Sequence, residues 1–159
     1  MPGLSVDLAD PLVVVASRRI DAPAHELFEV LRDPARHPEL DGSGMLRSTD
    51  AAPLQGVGDT FDMRMHNEEF GDYLMRNHVV EYVADRAIAW APKRIDVEGA
   101  DWDQRWGWRL DPDGEATTVT AFFDCTHVPD DGRRILREGR RWLPVLEASL
   151  ERLEAIATR

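Results

Sequence analysis

From Thr60 to Thr126 apolar and polar residues repeatedly alternate with a period of two, a pattern that calls for a sheet of short-turned strands. Thr60 to His66 is the clearest stretch, with Phe61, Met63 and Met65 on one face and Asp62, Arg64 and His66 on the other. Tyr73 to Val83 predicts a long strand, and Ala87 to Ala91 a short one closed by Pro92. Trp102 to Leu110 alternates again and places Trp102, Gln104, Trp106, Trp108 and Leu110 together. Thr117 to Thr126 is the last strand. Between the strands lie turn signals. In Asp111-Pro112-Asp113-Gly114 the proline presets φ and the glycine accepts a positive one. Connections this short join antiparallel neighbours, because a parallel pair needs a long crossover.

The flanks are helical apart from two short strands. Leu12 to Ile20 is β-branched and predicts the first strand. Asp21-Ala22-Pro23 then signals a helix start, with Leu27, Phe28, Val30 and Leu31 as its apolar stripe. Asp33-Pro34 repeats that signal for a shorter helical turn ending before Asp41-Gly42-Ser43-Gly44, and Met45 to Ser48 is a short strand. At the other end Asp130 or Asp131 can cap a helix running to about Ala157, with Ile135, Trp142, Leu146, Leu150 and Leu153 at helical spacing. The class is α+β, one domain over residues 1–159 with a core from about 12 to 157.

Net charge excludes one large class of partner. At −11 the surface repels a phosphate backbone, so no nucleic acid is expected. The single Cys125 cannot form an internal disulfide and fits a reducing compartment. No run approaches the ~20 apolar residues that span a bilayer, so integral membrane association is not expected. Met1-Pro2-Gly3-Leu4-Ser5-Val6-Asp7 lacks a basic segment followed by an apolar run, so the expected location is cytoplasmic.

Particular residues at the joints carry a resemblance. They are Ile20-Asp21-Ala22-Pro23-Ala24-His25-Glu26-Leu27-Phe28 with Asp33-Pro34, then Gly58-Asp59-Thr60-Phe61. Further along come Val80-Glu81-Tyr82 leading to Arg86-Ala87-Ile88-Ala89-Trp90, and Trp108-Arg109-Leu110 before the Gly114 turn and Thr117-Thr118-Val119-Thr120. With this element order the chain resembles the START/Bet v 1-like (SRPBCC) superfamily, in particular its bacterial polyketide cyclase/dehydrase and lipid-transport branch. The resemblance implies a helix-grip fold: a seven-stranded curved antiparallel sheet around a long C-terminal helix, with two short helices between strands 1 and 2. It implies a cavity for a small hydrophobic molecule and no cofactor. Members bind lipids, sterols, polyketides or hormones, and a minority catalyse cyclisation, dehydration or hydrolysis.

The inward lining inferred from strand parity comprises Phe61, Met63, Met65, Met75, Trp90, Trp102, Trp106, Trp108 and Phe123. Facing it on the helix are Gly139, Trp142, Leu143 and Leu146. Gly139 leaves the helix without a side chain opposite the sheet, and Pro144 is expected to bend it. Asn67, Asn77, Glu81 and Gln104 share the inward parity and can orient a ligand.

Chemistry-bearing groups are sparse. Five histidines, at 25, 37, 66, 78 and 127, form no metal-ligand spacing. His66 and His78 are expected to be neighbours on the outer face if their strands pair across the Asn67 to Asp72 turn. Cys125 reads as a small buried hydrophobe rather than a nucleophile for His127. The acid/base candidates are Glu81 and Asp124, with Arg105 or Arg109 to counter an anion; a carboxyl in an apolar cavity would hold its proton more tightly. Arg133, Arg134, Arg137, Arg140 and Arg141 form a cationic run beside Asp130, Asp131 and Glu138, either a solvated face or a contact for an anionic head group. Three functions follow: a carrier or sensor of a small hydrophobic ligand, a cofactor-free cyclase, aromatase or dehydratase, and a solid-core partner module. A homodimer is compatible with all three.

Overall fold

The computed structural model describes residues 3–96 and 102–159. Its strands are β1 (Val13–Ile20), β2 (Leu46–Ser48), β3 (Thr60–Asn67), β4 (Gly71–Val83), β5 (Ala87–Arg94), β6 (Arg105–Asp113) and β7 (Ala116–Asp124). All seven join one antiparallel sheet in the order β1-β7-β6-β5-β4-β3-β2. Each of β3 to β6 pairs with the next strand in sequence, the arrangement that short turns dictate. β1 and β2 therefore lie on opposite edges. The connection between them carries α1 (Ala24–Leu31), a 3₁₀ turn over Pro34–Arg36 and α2 (His37–Leu40). Within β5, Pro92 is tolerated because β6 pairs only with Ala87 to Trp90, so no ladder bond is lost.

After β7 the chain forms α3 (Asp130–Ile135), a 3₁₀ turn over Arg140–Trp142 and α4 (Leu143–Ala157). The expected single helix is thus two. Arg137, Glu138 and Gly139 take positive φ angles of 53, 57 and 90°, which end α3 in a left-handed turn. Pro144 stands in the first turn of α4, where its missing N–H costs nothing, and so starts a helix instead of bending one. Gly139 opens no space either. A Cβ there would lie 2.9 Å from Val14 Cγ2 and 3.1 Å from Phe123 Cδ2, so the glycine permits close packing on β1 and β7. Gly139→Ala is expected to cost about 2 kcal/mol, from the left-handed backbone and the overpacked contact together. Chemical denaturation checks it; unchanged stability would mean the turn can rearrange freely.

The main core lies on the concave side. Ile20, Leu27, Phe28, Leu31, Phe61, Met63, Val79, Ile88, Val119, Phe123, Leu150 and Leu153 are buried there together. α4 packs against β1, β7, α1 and α2. A second, small core sits on the convex side, where Val6 of the N-terminal segment covers Val13, Ala89 and Phe122, with Leu8 and Val80 beside them.

One irregularity decides which face several polar residues occupy. Val79 pairs with Trp90 but Glu81 pairs with Ala89, so Val80 is an extra residue, a β-bulge. Before the bulge Met75, Asn77 and Val79 point to the concave side; beyond it Tyr82 does, packing edge-on against Phe28 at 5.3 Å. Glu81, expected inward, is therefore turned to the convex side.

Candidate functional site: a cavity between sheet and C-terminal helix

Between the concave face, α2 and the start of α4 lies a cavity of about 150 Å³. Its sheet wall is built from Phe61, Met63 and Met65 of β3, Tyr73, Met75 and Asn77 of β4, and Trp90 of β5. Trp106 and Trp108 of β6 and Gln104 just before it continue the wall. Trp142, Leu146 and Ser149 close it from the helix side, and His37, Leu40, Asp41 and Ser43 from α2 and the loop after it. An apolar cavity of about this size engineered into another protein stays dry and takes up benzene.

The strand parity read from sequence places most of these residues together. Trp102 stands apart from the cavity lining and packs near Gly132 of α3. Phe123 lies behind the wall, its ring 4.6 Å from that of Trp106. Gly139 is committed to the turn described above, and Leu143 falls outside the lining. Asn67 pairs with Gly71 at the hairpin end, away from the cavity.

The proposed acid/base groups sit on the other side of the sheet. Glu81 is fully buried under the N-terminal segment: its carboxylate accepts the backbone N–H groups of Ser5 (2.5 Å) and Val6 (2.6 Å) and an ion pair from Arg109 (3.0 Å). Asp124 pairs across the sheet with Val13 and Arg105, which places both charged residues on the convex face with the second core. Asp124 accepts the Thr126 N–H at 2.8 Å, and Arg105 Nε has no acceptor among the described residues. His66 lies opposite Asp72, with Nδ1 and Oδ1 2.7 Å apart, while His78 lies opposite Thr60; the two histidines are not neighbours. Cys125 is buried, donates to the Leu12 carbonyl at 3.2 Å, and has its thiol pushed up by burial, while His127 is exposed. Within the arginine run, Arg133 pairs with Asp130 and Arg134 with Asp131 at helical i,i+3 spacing, and Arg140 pairs with Glu138 across the left-handed turn.

Two titratable groups that face the cavity were not singled out by sequence reasoning. His37 is 2% exposed, and the Leu31 carbonyl lies 2.7 Å from its Nε2. A carbonyl only accepts, so Nε2 carries the proton and Nδ1 is left as the acceptor of a neutral ring. Burial pushes its pKa from 6.5 down to about 4. The ring stacks on Trp90 at 4.9 Å with an interplanar angle of 21°, and meets Phe61 edge-on at 5.4 Å. Asp41 follows four residues later, and burial pushes its carboxyl up although Ser43 donates to it through both N–H and hydroxyl. The available signal was a histidine and an aspartate four apart around Leu40 in a short helical turn, which only becomes a cavity wall once α2 is packed.

A curved seven-stranded antiparallel sheet closed by short helices and a C-terminal helix around a cavity defines a helix-grip protein of the SRPBCC type. Residues 11–158 match the family described as polyketide cyclase / dehydrase and lipid transport, and the chain belongs to that family. An uncharacterized protein of Mycobacterium tuberculosis is 33% identical over 119 residues, which are 73% of this chain and 49% of that protein. The chain thus spans about half the length of the curated relatives it matches. Among solved structures, the Nitrosomonas europaea protein NE0264 superposes with a TM-score of 0.72 at 16% identity, covering 94% of this chain and 96% of that one. DynU16, from the dynemicin biosynthetic locus, gives 0.59 at 22% identity over 92% of this chain and 47% of its own. At these identities the structural likeness speaks for the fold. Among the described residues no helix is long and apolar enough to cross a membrane.

Proposed function

We propose that the chain binds a small hydrophobic molecule in the cavity between sheet and C-terminal helix, acting as a carrier or sensor. The observation that carries this reading is the cavity wall itself. Methionines at 63, 65 and 75 and indoles at 90, 106, 108 and 142 converge on one cavity. Thioethers adapt to irregular ligands and rings supply large apolar area, the lining that small-molecule sites share. Asn77 and Gln104 add polar contacts that orient a guest. The family description, polyketide cyclase / dehydrase and lipid transport, supports the same class of ligand.

A second reading, a cofactor-free cyclase, aromatase or dehydratase, is favoured by His37 and Asp41. Their surroundings push the two groups toward their neutral forms at one wall, the condition under which side chains exchange protons with a bound substrate.

Native mass spectrometry of the protein, followed by extraction of anything bound, tests the first reading. A ligand present at one hundred times its Kd stabilises the fold by about 2.7 kcal/mol, a readily measured rise in Tm. Replacing Met75 with Trp, which fills the space, is expected to abolish that rise. A clean apo mass, with no rise in Tm from para-xylene, naphthalene or indole, would leave the cavity reading without support. Recovery of the guest chemically altered would instead favour the enzyme.

A further inference from the structure

Charge is distributed one-sidedly around the cavity. No lysine or arginine lines it among the described residues, and its one carboxylate-bearing residue is Asp41. An anionic guest would lose its hydration and find no cation to replace it, a large penalty in an apolar enclosure. A fatty acid or an aromatic carboxylate is a poor fit on that ground alone.

The unpartnered hydrogen-bonding atoms indicate what fits instead. His37 gives its Nε2 proton to Leu31, and its Nδ1 makes no hydrogen bond among the described residues. Trp142 Nε1 is buried and likewise without a partner. A buried indole N–H is rarely left bare, and the free acceptor nitrogen of a ring that lines the cavity is open to a guest's donor. The two residues stand at the ends of an aromatic wall: His37 stacks on Trp90, Trp90 lies directly across the strand pair from Trp106, and Trp106 meets Trp142 at 5.6 Å.

Resting on the ligand-binding reading above, we infer that the cavity selects an uncharged aromatic ligand bearing a hydroxyl, which donates its hydrogen bond to Nδ1 of His37. His37 is the specificity-determining residue, and aromatic or aliphatic carboxylates are rejected. The neutral state of the ring at pH 7 follows from its burial and supports the assignment.

Three probes of one shape test this at pH 7: para-cresol, para-xylene and para-toluate, which present a hydroxyl, a methyl and a carboxylate at the same position. Calorimetric titration of the full chain is expected to show para-cresol and para-xylene binding and para-toluate not binding. In His37→Phe the affinity for para-cresol relative to para-xylene should fall about tenfold, the usual worth of one buried hydrogen bond. Should that variant fail to fold, nitrogen NMR of the wild type decides: the His37 Nδ1 resonance moves with para-cresol and stays with para-xylene. An unchanged affinity ratio, a silent Nδ1 resonance, or para-toluate binding as tightly as para-cresol overturns the assignment while leaving the cavity reading intact. Tighter binding of benzylammonium than of para-cresol also overturns it, by giving the site to a cation facing Asp41. If neither uncharged probe binds, both readings fall together.

Discussion

Glu81→Ala is expected to destabilise the protein by about 3–5 kcal/mol, the range for removing one partner of a buried ion pair. The loss has two parts. Arg109, whose side chain is 18% exposed, keeps its charge but retains only the Val6 carbonyl at 2.7 Å as a hydrogen-bond acceptor, with the Phe122 ring 5.3 Å from its guanidinium. The N–H groups of Ser5 and Val6 lose their acceptor at the same time, which loosens the segment covering Val13, Ala89 and Phe122. Glu81→Gln keeps an acceptor for those N–H groups and should cost less. Changing both partners, Glu81→Leu with Arg109→Leu, should recover part of the loss because no buried charge is stranded. Urea denaturation of the three variants measures all of this. A loss below ~1 kcal/mol for Glu81→Ala would show that the N-terminal segment does not seal this face.

The second large effect is a dependence of stability on pH through His37. In the unfolded chain the imidazole takes up a proton near 6.5, whereas in the folded protein it does so only at about 4. Between those values the unfolded state binds more protons, so stability rises with pH across the window and falls as the solution is acidified through it. His37 therefore contributes nothing adverse above 6.5, and acidification to about 4 removes about 3 kcal/mol. The charged groups that bear on this are Asp33, which favours the imidazolium, and Asp41 one turn away on the same wall. The raised Asp41 carboxyl acts with opposite sign, since a folded state that holds its proton more tightly gains stability on acidification. Unfolding free energies of the wild type and His37→Phe at several pH values separate them. The variant's profile should be flatter between pH 6.5 and 4. Parallel profiles would mean that the ring is wetted and charges freely in the fold.

Most strands were legible because their signals are local. Alternation in Thr60 to His66 and Trp102 to Leu110, and turn chemistry at Asp111 to Gly114, act over a few residues, so the β3, β6 and β7 assignments differ from the structure only at their ends. The Met and Trp parity that builds the wall is local too, and so Phe61, Met63, Trp106 and Trp108 could be placed beside one another before any packing was known. Helix signals at the C-terminus were present but ambiguous. Gly139 and Pro144 are residues that end and begin helices as readily as they loosen one, and spacing alone kept them on one stripe.

By itself, then, the amino-acid order determined the succession of strands, their antiparallel pairing and the apolar identity of one face, since each follows from period, turn and propensity within a short window. Tertiary structure alone decided where the polar groups ended up. The extra residue Val80 turned Glu81 from the concave to the convex side, where Arg109 and the N-terminal segment hold it. The packing of α2 over the sheet brought His37 onto Trp90 and set Asp41 beside the cavity. Both outcomes depend on partners from 28 to 76 residues away in sequence, and the burial that fixes protonation exists only once those partners have met.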